Sequence, residues 1–167
     1  MTRIMLKNWS LVFGICAISL FVEAGQTHVH TGDSIGEPGQ ALQISRTITI
    51  DMQDRMRFVP ATLNVKEGET IRLLIRNTGS LTHELVLGNA KDLQAHSEVM
   101  KRAPQMRHAD PGALSLAPGT KGELVWRFTR PMTIDFACLQ PGHFAAGMQG
   151  KIEVSRVKAG QTDAHTH

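Results

Sequence analysis

The feature that most constrains this chain is a period-two alternation of apolar side chains, repeated from residue 44 onward. Ile44, Ile48, Ile50 and Met52 fall on one face, as do Ile71, Leu73 and Ile75. The pattern returns at Leu124, Trp126 and Phe128, at Ile134, Phe136 and Cys138, and at Ile152 and Val154. Successive side chains of a strand point to opposite faces, so each run buries one face and wets the other. Turn formers interrupt the runs at Glu67-Gly68, Asn77-Thr78-Gly79, Pro118-Gly119 and Arg130-Pro131. About seven or eight strands in roughly 115 residues predict an all-β, antiparallel Greek-key β-sandwich. Asn89 to Arg102 departs from the pattern: Leu93, Val99 and Met100 are spaced for one helix face, with Pro104 behind. A short helical insertion between two strands is expected there.

The ends read differently from the middle. Arg3 and Lys7 precede the apolar run Leu11 to Val22, and Ala24 stands before Gly25. That is the layout of an export signal over residues 1–24. The apolar run is 12 residues long, short of the roughly 20 that span a bilayer. Residues 25–41 and 156–167 are polar and histidine-bearing, and read as a flexible arm and tail around a domain at 42–155. The expected location is a bacterial periplasm, with no membrane attachment after signal removal. The 18 basic and 15 acidic residues are scattered singly, which gives no nucleic-acid surface.

Export makes the cysteines informative. Of the two, Cys16 leaves with the signal, so Cys138 is the lone thiol of the mature chain. A lone thiol in an oxidising compartment is open to stray oxidation, and its neighbours must explain it. A buried cysteine can simply pack as a small hydrophobe. Here, however, a strand delivers Cys138, Pro141-Gly142 turn the chain, and His143 and Met148 follow before the next strand. Upstream, His83 opens a strand that can lie beside the Cys138 strand. One thiolate, two imidazoles and a weak axial thioether make a mononuclear blue-copper site. Zinc is disfavoured because methionine is a poor zinc ligand. A Cys–His nucleophile lacks an oxyanion loop and a third orienting residue, and no acid/base pair marks an enzyme.

The segment from Cys138 through Gly142, His143 and Met148 resembles the copper loop of cupredoxins, the type 1 blue-copper family of plastocyanin, azurin and pseudoazurin. The resemblance runs from about Ile44 to Val154, including the stretch Met56 to Thr70. It is closest to the CopI-type copper-tolerance cupredoxins, exported proteins with histidines in their termini and a Met/His-bearing insertion. The resemblance implies His83, Cys138 and His143 as equatorial ligands and Met148 as axial ligand of one copper. Many electron-transfer members carry Asn directly after the first histidine, where it ties the ligand loops together. This chain has Glu84 there, and four residues in each spacer, Cys138 to His143 and His143 to Met148.

Further donors lie outside that set. His28 and His30 in the arm, and His165 and His167 in the tail, form His-x-His pairs able to hold additional copper weakly. Multicopper oxidases embed such pairs in strands between domains, which this chain does not. In the insertion, His96 and Met100 are four apart on one helix face, with Met106 and His108 beyond. Soft thioethers there point to an auxiliary Cu(I) site, although methionine also serves as core filler. Two roles follow: copper tolerance by binding and oxidising copper, or electron transfer between redox enzymes. The partners are copper ions in either case, joined by a periplasmic redox or copper-transport protein.

Overall fold

The alternating segments become strands whose buried faces meet, and their order places the proposed donors at one end of the fold. The computed structural model describes residues 34–102 and 110–157. Ten strands occur among them: β1 (Glu37–Pro38), β2 (Ile44–Gln53), β3 (Arg57–Val59), β4 (Thr62–Lys66), β5 (Thr70–Asn77), β6 (His83–Gly88), β7 (Ala113–Leu116), β8 (Lys121–Arg127), β9 (Met132–Ala137) and β10 (Gln149–Ser155). They form two five-stranded sheets, ordered β1-β8-β5-β2-β3 and β4-β10-β9-β6-β7. The count exceeds the expected seven or eight. Two of the additions, β1 with two residues and β3 with three, are edge pieces too short to show a period. The pairing is also mixed rather than antiparallel throughout, because β2 runs parallel to β5 and β4 parallel to β10. The chain crosses to the second sheet at β4 and returns at β5. Alternation reports which face is buried but carries no strand direction.

Between the sheets, Ile50, Met52, Ile71, Leu73, Ile75, Leu85, Phe136 and Ile152 are fully buried. Each such side chain contributes about 1.5–3 kcal/mol by leaving water. Phe58 and Phe136 meet edge to face at 5.0 Å. Cys138 and Met148 belong to this same buried cluster. The loop that carries the donors is therefore anchored in the core at both ends.

The insertion is a helix, α1 (Ala90–Arg102), started by Asn89, whose Oδ1 accepts the N–H of Asp92 at 2.9 Å. Leu93, Ser97 and Met100 face inward, while Val99, expected on the same face, is 45% exposed. Leu93 and Met100 are seven apart and share a stripe; Val99 is one residue off it, about 100° around the helix. Met100 packs with Val86, Leu93, Ala137 and Leu139, and Phe144 leans on that cluster. Methionine suits such a position because it fills irregular core gaps. Met106 and His108 lie outside the described residues, as do His28, His30, His165, His167 and the expected signal segment.

The last residues of the expected arm make contacts with the sandwich. From Ser34 the chain lies along β8. Glu37 pairs with Arg127, Gly39 N–H donates to Val125 O, and the Trp126 Nε1–H donates to Ile35 O at 3.0 Å. No helix among the described residues is long and apolar enough to cross a membrane.

Candidate metal centre

His83 is the first residue of β6 and is fully buried. The turn before it is held by Asn77, itself only 2% exposed. The Asn77 amide donates to the carbonyls of Leu81 and Leu116, and its Oδ1 accepts the N–H of Gly79. β6 pairs with β9 through Val86 and Ala137. That register brings the start of β6 alongside Cys138, the residue that follows β9.

The loop from Cys138 to Met148 closes on its own backbone. Cys138 N–H donates to Met148 O, and Met148 N–H to His143 O, both at 3.0 Å. Further turns are closed by His143 N–H to Gln140 O, Ala146 N–H to Gly142 O and Gly147 N–H to Phe144 O. Gly142 and Gly147 adopt φ of 86° and 89°, the left-handed region that side chains disfavour. From outside, Arg57 donates through Nη1 to the carbonyls of Ala146 and Gly147, each at 3.2 Å. These bonds fix the path between His143 and Met148.

Three donor atoms converge. The Cys138 Sγ lies 3.3 Å from His143 Nδ1 and 4.0 Å from His83 Nδ1, and the two Nδ1 atoms are 3.2 Å apart. A metal at the centre of a trigonal plane, with bonds of about 2.0 Å to imidazole and about 2.3 Å to thiolate, would set these atoms about 3.5–3.7 Å apart. The observed triangle fits such an ion. The surroundings of His83 agree with it. His83 Nε2 is 3.0 Å from Asp54 Oδ1, and a carboxylate acceptor puts the proton on Nε2. The Nδ1 lone pair of His83 is then aimed inward, toward a second Nδ1. A cation between them relieves that opposition. Met148, fully buried at the end of the loop, completes a soft–borderline donor set of the kind that selects copper.

Burial favours the neutral forms of Cys138, His143 and Glu84 before metal arrives. Burial pushes the Cys138 thiol up to about 11, opposed by the Glu84 N–H at 3.4 Å from Sγ and reinforced by the Glu84 charge. Burial also lowers His143, helped by His83 beside it. Glu84 is raised by burial, although its Oε1 accepts the Leu139 N–H at 3.0 Å. Glu84 thus links β6 to Cys138 through its backbone N–H and to Leu139 through its side chain. The tie that asparagine supplies in other members is made here by a carboxylate.

The Greek-key sandwich and the His83, Cys138, His143 and Met148 set define a mononuclear copper protein of the cupredoxin class, with the four side chains positioned to form a type 1 site. The chain belongs to the plastocyanin/azurin family of copper binding proteins, whose profile matches residues 44–155. It is 44% identical over 154 residues to the copper-resistant cuproprotein CopI of Rubrivivax gelatinosus, covering 84% of this chain and 93% of that protein. It is 34% identical over 181 residues to the protein of the same name in Pseudomonas aeruginosa, covering 91% and 97%. Among solved structures, reduced auracyanin from Roseiflexus castenholzii superposes with a TM-score of 0.59 at 25% identity, over 67% of this chain and 98% of that one. Auracyanin B superposes with the same TM-score at 23% identity, over 72% and 96%, and shares the fold.

Two residues around the centre escaped sequence reasoning, and so did the contacts of a third. Asp54 and Arg57 sit in and just after the turn between β2 and β3, with no periodicity or motif linking them to the donors. The contacts of Glu84 were legible only as a departure from the family pattern.

Proposed function

We propose that His83, Cys138 and His143 are the equatorial ligands and Met148 the axial ligand of one copper ion, and that the protein acts in copper tolerance outside the cytoplasm. The observation that carries the reading is the convergence of His83, Cys138 and His143, whose ligand atoms all lie within 4.8 Å of one another. The names of the two CopI relatives support the tolerance role, and the signal-like segment at 1–24 supports export to the periplasm.

Bound copper supplies a one-electron couple between Cu(I) and Cu(II). The chain's residues prepare for both states. Cys138 gives up its proton on binding, and its buried thiolate is then shielded from other oxidants. His143 is held neutral and only partly exposed, so an imidazole lone pair is ready near the surface. A loop closed by its own hydrogen bonds, pinned by Arg57 and rooted in the core, limits rearrangement between the two states. His83, Cys138, His143 and Met148 would hold copper by these means, and the bound ion would supply one electron to an external acceptor in the change from Cu(I) to Cu(II). A redox or copper-transport protein is the expected periplasmic partner.

The test is a Cu(II) titration of the mature protein followed by visible absorption, with Cys138→Ala alongside. An intense thiolate-to-copper band saturating at one copper and missing in the variant is expected. Absence of the band in freshly reduced protein overturns the ligand assignment. A deletion strain should lose copper tolerance; a strain that tolerates copper normally but loses a respiratory activity moves the role to electron transfer.

A further inference from the structure

We propose that Asp54 is a positioning residue of the metal centre, which fixes the His83 ring with Nδ1 toward the metal and biases the site toward Cu(II). The inference rests on the copper reading above and adds a residue from outside the ligand loops.

Asp54 lies in the turn between β2 and β3, where four donors converge on its carboxylate. Oδ2 accepts the Ser80 N–H at 2.7 Å and the Ser80 hydroxyl at 2.6 Å. Oδ1 accepts the Leu81 N–H at 3.2 Å and the His83 Nε2–H at 3.0 Å. A carboxylate offers about four lone-pair sites, so its capacity is filled. The carboxylate is consequently held in one orientation by the fold.

The two turns are built against each other. Thr78 donates to Met52 O from both its N–H and its hydroxyl, at 3.0 and 3.1 Å. A Cβ on Gly79 would lie 2.6 Å from Asp54 Cγ and 3.2 Å from Asp54 N, so glycine permits the approach. Most surface carboxylate–histidine pairs contribute little. This pair differs because His83 is wholly buried while the Asp54 side chain is 36% exposed. A buried Nε2–H needs an acceptor, and Asp54 is the one it has. To orient the ring alone, a backbone carbonyl would serve; the carboxylate also closes the turn through Ser80 and Leu81. A carboxylate does more, since an anion behind a ligating imidazole raises its basicity and stabilises the more positive ion.

The consequence is selective. Removing the charge weakens Cu(II) more than Cu(I). Loss of such an outer partner typically costs 10–100-fold in metal affinity. Each tenfold loss confined to Cu(II) raises a one-electron potential by about 59 mV.

The test compares the copper-loaded parent with Asp54→Asn and Ser80→Ala. Asp54→Asn keeps an acceptor oxygen for His83, removes the charge and turns the oxygen that faces Ser80 into an NH2 donor; Ser80→Ala keeps the charge and removes the hydroxyl bond to that same oxygen. The expected result is a raised potential and a roughly 10–100-fold loss of Cu(II) affinity by chelator competition in Asp54→Asn, with Ser80→Ala close to the parent. An unchanged potential in Asp54→Asn overturns the proposal. So does an equal shift in Ser80→Ala, which would assign the effect to the turn and not the charge. Nitrogen-15 NMR of His83 in the metal-free parent is independent of any variant: Nε2 must carry the proton, and the opposite tautomer overturns the proposal. A parent that never develops the thiolate band fails at the copper reading itself. A coloured parent with an indifferent Asp54→Asn fails only here.

Discussion

Copper uptake should release one proton from Cys138, and the buried thiol sets how strongly uptake depends on pH. In the metal-free protein, burial pushes this thiol up to about 11. At pH 7 it lies about four pH units below that value, so ~10⁻⁴ of the molecules carry the thiolate, and forming it costs about 5 kcal/mol. A thiol at the ordinary value of 9.0 would cost about half as much, roughly 2.7 kcal/mol at the same pH. Because the metal binds only the thiolate, apparent affinity at this site should rise about tenfold per pH unit between about pH 7.5 and 9.5. The same sign governs stability. The neutral thiol's contribution is fully present below 9.0 and is lost as pH rises through about 11, so the metal-free protein should weaken in alkali. Calorimetric titrations in buffers of different ionisation enthalpy would count the protons, and chelator competition, corrected for the chelator's own protonation, would give the slope. Release of less than about half a proton per copper at pH 8 would refute the reasoning, because the thiol would already be ionised.

Two other positions report on the frame around the donors. Glu84 is raised by burial, so its neutral form favours the fold, and this stabilisation fades as pH rises through its raised value. Glu84→Gln keeps the acceptor for Leu139 N–H and should flatten that part of the metal-free stability–pH curve, whereas Glu84→Ala should lose about 1–3 kcal/mol. A Gln variant with the parent's pH dependence would exclude Glu84 as its source. Asn77→Ala removes the amide from two buried or half-buried carbonyls and the oxygen from Gly79 N–H. Urea unfolding should show a loss of about 2 kcal/mol or more, and a loss below about 0.5 kcal/mol would mean the turn before His83 stands without it.

Much of the frame was readable along the chain, for a local reason. The runs through Ile71, Leu73 and Ile75, and through Ile134, Phe136 and Cys138, put their side chains into the core, as their period of two requires. Helix α1 began within a residue of its expected start because Asn89 caps it, yet Val99 turned out to solvent, since three apolar residues in a window do not settle which stripe is buried. The edge pieces β1 and β3 were invisible because two or three residues show no period. Strand direction was likewise absent from alternation, so the parallel β2–β5 and β4–β10 pairs emerged only in the fold.

The donor chemistry belongs to the sequence by itself. A thiol, an imidazole and a thioether on one short loop, with Gly142 and Gly147 permitting its turns, are properties of neighbouring residues and need no map of the whole molecule. Tertiary structure decided what surrounds them. Asp54 reaches His83 across 29 positions, Glu84 reaches Leu139 across 55, and Arg57 reaches Gly147 across 90. Contacts of that separation follow from how two sheets and their turns stack in space, and no local period records them. The chain specifies which atoms can hold the metal; the packing of distant turns against those atoms aims one nitrogen inward and holds the loop to its path.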